Sequence, residues 1–248
     1  MIIENKFRGP PSSGNGGYVS GIFARLIKDT TATEVTLRAP IPLDHLLTAV
    51  PPDNDVARVV DGETLIAEVR AAELSLDIPE PVDWDLVRGA EPLSYSFAEN
   101  IHPQSSQQTS QQTLKVRGFH PICFCCGADH EDGLQVFAAP LDEGRVAAIW
   151  RTKQEWAAED GKLRAEYLWT AMDCPGQFAF MSAGIKTGLL GRMTGRIHAR
   201  PVAGEDLLVT AWTVRVEGKK HFAGSAIHTK DHQLCGEAMT VWIGRREM

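Results

Sequence analysis

Three cysteines crowd into His120-Pro121-Ile122-Cys123-Phe124-Cys125-Cys126-Gly127-Ala128-Asp129-His130, and Cys123 and Cys126 stand in C-x-x-C spacing with a histidine on each side. Thiolates and imidazoles in such spacing are zinc ligands. A closed tetrahedral site usually draws on a second pair, and no second C-x-x-C follows in the chain. The sequence therefore favours a buried, reduced turn over a metal knuckle. No helix start or orienting group adjoins these thiols, which sets a catalytic cysteine lower still.

Two other places carry polar groups where a helix begins or breaks. Ser12-Ser13-Gly14-Asn15-Gly16-Gly17 reads as a glycine-rich loop with an Asn N-cap. Asp173 precedes Cys174-Pro175 and is placed to satisfy backbone donors at a helix break. Arg192, Arg196 and Arg200, with His198, share one face of an alternating segment. They suit either the phosphates of a nucleotide-like ligand or a solvated sheet face. Lys219, Lys220 and His221 read as an exposed turn tip. Trp150, Trp156, Trp169, Trp212 and Trp242 fit core or interface positions and equally the walls of an apolar ligand pocket.

These residues sit in a chain of 248 residues, 43% hydrophobic and 23% charged, which is globular in composition. Twenty-five basic against thirty-two acidic residues leave a formal charge of -7, so no global positive field draws nucleic acid or anionic lipid. No apolar run approaches the length of a membrane span, and Met1-Ile2-Ile3-Glu4-Asn5-Lys6 lacks the plan of a signal peptide. A cytoplasmic protein with reduced thiols and no bound cofactor or metal is expected.

The tract from Asn100 to Thr113, rich in Gln, Ser and Thr, has almost nothing to bury. It divides the chain into an N-terminal module (residues 1–99), a polar linker (100–116) and a C-terminal module (117–248). In the C-terminal module, Gly133–Phe137 and Arg145–Trp150 predict a hairpin around Asp142-Glu143-Gly144. Leu163–Gly184 predicts a helix that Pro175 breaks or kinks. Leu189–Arg200 alternates as a half-buried strand, followed by strands over Leu207–Glu217, His221–Thr229 and Leu234–Ile243. The N-terminal module repeats part of this order: a helix over Gly17–Ile27, alternation from Val35 to Leu43, and Leu65–Val69. Pro40 and Pro201 fall at matching places (201 minus 40 is 161), which suggests an internal duplication.

A long helix wrapped by an antiparallel meander, with Arg200-Pro201-Val202-Ala203-Gly204-Glu205-Asp206-Leu207-Leu208 leading into a strand, resembles the hotdog fold of the acyl-CoA thioesterase superfamily. The entry Cys123-Phe124-Cys125-Cys126-Gly127, then Asp132-Gly133-Leu134, is similar to that of thioesterases related to the phenylacetate-pathway enzyme. The resemblance covers most of residues 7–98 and 119–245. It implies an α+β fold with two such units in tandem, a double hotdog.

It also implies a site. In the family a glycine turn opens the helix and points backbone N–H groups at the thioester carbonyl, with a carboxylate about eight residues later. Asn15-Gly16-Gly17 matches the turn, but eight residues on stands Phe23. Asp173 matches the carboxylate, but eight residues before it stands Ala165, followed by Glu166 and Tyr167. Each half carries what the other lacks. The resemblance thus implies one composite site, with Asn15, Gly16 and Gly17 as oxyanion donors, Asp173 as base or nucleophile, and the Phe23/Ala165 counterpart inactive. Arg192, Arg196, Arg200 and Trp169 become candidate substrate contacts, with coenzyme A entering as part of the substrate. The expected function is hydrolysis of an acyl-CoA or other acyl thioester, by a homo-oligomer such as a dimer of double hotdogs. A non-catalytic acyl-CoA or lipid-binding protein is the alternative. A hotdog dehydratase ranks behind it, because neither helix carries a spaced Asp and His pair.

Overall fold

In the computed structural model, residues 1–97 and 120–244 are described. The linker expected over 100–116 lies outside them. Alternating and β-branched runs pair into one antiparallel sheet of ten strands: β1 (Ala32–Leu37), β2 (Thr48–Asp53), β3 (Val56–Asp61), β4 (Thr64–Ala72), β5 (Ala139–Asp142), β6 (Arg145–Arg151), β7 (Leu189–Ile197), β8 (Asp206–Glu217), β9 (Lys220–His228) and β10 (Leu234–Ile243). Their spatial order is β2-β3-β4-β1-β7-β10-β9-β8-β6-β5. The seam is β1 against β7, with Thr33 opposite Gly195 and Val35 opposite Met193. Outward from β1 come β4, β3 and β2, and outward from β7 come β10, β9 and β8, so the two arms share one order. The β5–β6 hairpin extends only the second arm.

Two helices lie against this sheet near the seam, α1 (Gly16–Ala24) and α3 (Ala165–Ala171); α2 (Trp84–Ala90) covers the β5–β6 end, and α4 (Cys174–Ser182) lies over β6, β8 and β9 of the second arm. The predicted long helix is two helices, because the ring of Pro175 would meet the carbonyl of Ala171 if the coil ran on. Pro175 instead falls in the first turn of α4, where no N–H is needed, and the backbone turns at Asp173 (φ -82, ψ -84). One hydrophobic cluster runs from Ile3 and Phe7 through Phe124 and Leu168 to Ala238, so both halves feed the same core.

Several boundaries differ from expectation. The first strand of the predicted hairpin is Ala139–Asp142, not Gly133–Phe137. Gln135 has a left-handed backbone (φ 56), and the N–H groups of Leu134 and Val136 donate to the carbonyls of Phe124 and Cys125 at 2.7 and 2.9 Å. Those alternating apolar residues therefore seal the cysteine turn. β1 stops at Leu37, short of the alternation to Leu43, and Pro40 has no donor to extend it. β2 was masked in sequence by Pro51-Pro52, which suit the edge strand it forms. Among the described residues no helix is long and apolar enough to cross a membrane.

Candidate active site

The chain enters α1 through a tight loop held by Asn15 N–H to the Phe7 carbonyl (2.8 Å) and Gly14 N–H to the Ile41 carbonyl (3.0 Å). Asn15 is the N-cap, its Oδ1 accepting from the Tyr18 N–H at 2.9 Å. From the facing helix pair, the Asp173 carboxylate reaches across, and its Oδ2 accepts from the Gly17 N–H at 2.8 Å. Glycine is needed there: a Cβ on residue 17 would stand 2.6 Å from Asp173 Cβ and 2.7 Å from the Trp169 carbonyl oxygen. The structure thus brings Asn15, Gly16, Gly17 and Asp173 together, with one difference from expectation. The Gly17 N–H is taken by Asp173, which leaves Gly16, at the first helical position with no intrahelical acceptor, as the backbone donor beside the cavity.

Asp173 is 2% exposed, and its Oδ1 is buried without a hydrogen-bond partner. Burial pushes its pKa up to about 7; the Gly17 N–H pulls it down, charge on Cys123 pushes it up, and the Asn15 carboxamide pulls it down. Asp173 lines a cavity of about 40 Å³ together with Gly16, His120, Cys123, Gln177 and Trp242. That is room for a water molecule or two. Pro10, Gly16, Leu189 and Leu190 are shared with a neighbouring groove of about 360 Å³, which Leu37, Ile41 and Ile243 also line. A small cavity that carries Asp173 therefore opens beside a larger apolar groove.

The counterpart start at α3 is built differently. Phe23 is fully buried core, Ala165 follows Arg164 at the cap without a side-chain cap bond, and buried Glu166 is ion-paired to Arg25. No carboxylate takes the place of Asp173. The pair makes a stability prediction: Arg25→Met strands a buried carboxylate and should lower stability by about 1–3 kcal/mol, read in a thermal melt. The double variant Arg25→Met/Glu166→Gln should recover most of the loss.

The proposed substrate contacts lie elsewhere. Arg192 Nε donates to Thr36 Oγ1 at 3.1 Å with Glu34 at 3.5 Å, and Arg196 pairs with Glu237 at 3.4 Å and donates to the Leu74 carbonyl at 3.0 Å. Arg200 pairs with Asp160. None of the three lines the cavity beside Asp173 or the apolar groove. Trp169 is 4% exposed and wedged against Gly195, where a Cβ would stand 2.7 Å from its ring. Sequence reading missed Gln177 and His120 as cavity walls. Gln177 was findable, lying one helical turn beyond Asp173 on the same face (173 plus 4).

No family model matches the chain, and no curated protein matches it. Among solved structures, a candidate thioesterase from Novosphingobium aromaticivorans superposes with a TM-score of 0.58 at 11% identity, over 99% of this chain and 94% of that one. The tesB protein of Mycobacterium avium subs paratuberculosis gives 0.56 at 10% identity, over 96% and 89%. At such identities the likeness is one of fold, and the fold is that of the hotdog thioesterases.

Proposed function

We propose that this chain is a tandem hotdog protein that hydrolyses an acyl-CoA or related acyl thioester at one composite site between its halves. The observation that carries the reading is the Asp173 carboxylate, one oxygen fixed on the Gly17 N–H of the opposite helix and the other unpartnered at a water-sized cavity. In the proposed reaction a water in that cavity gives a proton to Asp173 Oδ1 as its oxygen attacks the thioester carbon. The developing oxyanion is met by the Gly16 N–H at the positive end of α1. The C–S bond then breaks, and the proton passes from Asp173 to the departing sulfur. Coenzyme A enters as substrate, and no resident cofactor takes part. The matched arm orders of the sheet, each with its helix, support the tandem reading.

The apolar groove shared through Gly16 and Leu190 suits the acyl or pantetheine arm. A homo-oligomer, such as a dimer of tandem units, would cover the open edges at β2 and β5. The test is thiol release from a panel of short, long and aryl acyl-CoAs. Saturable release supports hydrolysis, whereas saturable binding without release would make the chain a binding module. One observation favours a second chemistry: His120 shares the cavity with Asp173, giving the acid and histidine pair that neither helix carries. Enoyl-CoA hydration belongs in the same panel, and His120→Ala should abolish hydration but leave thioester hydrolysis largely intact.

A further inference from the structure

The cysteines of the sequence motif do not end at the turn. Cys174, the first residue of α4, meets them, and the sulfurs of Cys123, Cys126 and Cys174 all lie within 4.8 Å of one another. Cys123 and Cys174 are 3.6 Å apart at sulfur. All three are buried, at 1%, 0% and 4% exposure. Neutral thiols pack as small hydrophobes, so burial alone proves nothing. The donors around them are more telling.

The Asn15 carboxamide donates to the Cys123 sulfur at 3.6 Å. The turn closes with the Gly127 N–H on the Cys123 carbonyl at 2.8 Å. At Gly127 a Cβ would fall 2.5 Å from the Pro121 carbonyl oxygen, so only glycine fits the last position of this C-x-x-C-G turn. Cys174 lies in the first turn of a helix, where the dipole favours a thiolate. A cation bound through sulfur at about 2.3 Å holds its ligands about 3.8 Å apart in a tetrahedron and about 4.0 Å apart in a triangle. The observed spacing brackets both.

We infer that Cys123, Cys126 and Cys174 bind a thiophilic d10 cation, with Zn²⁺ as the natural occupant. Three thiols release three protons as the metal binds, and the Asn15 carboxamide and the cation offset the charge left behind. Cys125, the remaining thiol of the turn, or a ligand from the adjoining cavity completes the shell. The missing second pair of the motif is thereby supplied from the helix break. Such a site would tie the cysteine turn to the residue beside Asp173, acting as a staple. It stands independently of the proposed hydrolysis.

The test needs no activity. Protein purified without chelator should carry stoichiometric zinc by elemental analysis, and Cys126→Ser and Cys174→Ser should lose it while Cys235→Ser keeps it. Because a ligand variant can fail to fold, wild-type protein stripped of metal should also be titrated with Co²⁺. Thiolate-to-cobalt charge-transfer absorption that saturates at one ion per chain, and a melting temperature that rises with occupancy, are the expected results. All five thiols free with no metal uptake would overturn the proposal. So would the loss of two thiols with a mass 2 Da lower, which would mark a Cys123–Cys174 disulfide instead.

Discussion

Asp173→Asn should lower thioester turnover by about a hundredfold or more while leaving the protein at least as stable as the wild type. The two effects have one structural cause. The carboxylate is 2% exposed and has an oxygen without a partner, an arrangement that costs stability unless it is used. The carboxamide keeps the shape, and its oxygen can still accept from the Gly17 N–H, but it cannot take a proton from water. Removing the buried charge should recover about 2–4 °C of melting temperature for each kcal/mol gained. A residue kept only to cap α4 would behave in the opposite way, losing stability and sparing turnover. Activity near wild type in this variant would sink the composite site.

How much of this was legible in the chain varies with the range of the interactions. The strands β7 to β10 and the break before Pro175 follow from alternation, turn glycines and the proline ring, all read within a few residues. The edge strand β2 does not, because Val50-Pro51-Pro52 spoils the strand signal and only its place at the sheet edge excuses the prolines. Asn15 and Asp173 read locally as two caps. Their meeting depends on a crossing between helices distant in sequence, and only the family resemblance suggested it. The arginines show the other limit. Arg192, Arg196 and Arg200 look the same whether they face phosphate or carboxylate, and the acids that engage them, Glu34, Glu237 and Asp160, come from other elements. Cys174 belongs to the same class, since nothing near it in the chain marks it as a third sulfur.

The crossing itself makes the second strong prediction. α1 meets α3 through Gly17 and Gly21, one turn apart, and a Cβ on residue 21 would lie 2.7 Å from Glu166 Cα and 2.9 Å from Trp169 Cβ. Two terms oppose each other when alanine is placed there. Helix propensity favours alanine over glycine by about 0.5–1 kcal/mol. Overpacking against backbone atoms that cannot swing aside costs about 1–3 kcal/mol or more. The steric term wins, so Gly21→Ala should lower the melting temperature while turnover below the transition stays near wild type. Gly17→Ala should do both kinds of damage, because moving its helix also draws the N–H away from Asp173 Oδ2. Gly16 is the control: its Cβ would meet mainly the mobile end of Leu190, at 2.7 Å for Cδ2. Gly16→Ala should therefore fold well and lose turnover by crowding the carbonyl beside its N–H. If Gly21→Ala instead melts higher than wild type, propensity has won, the two helices are not in backbone contact, and the positioning of Asp173 by this crossing must be abandoned.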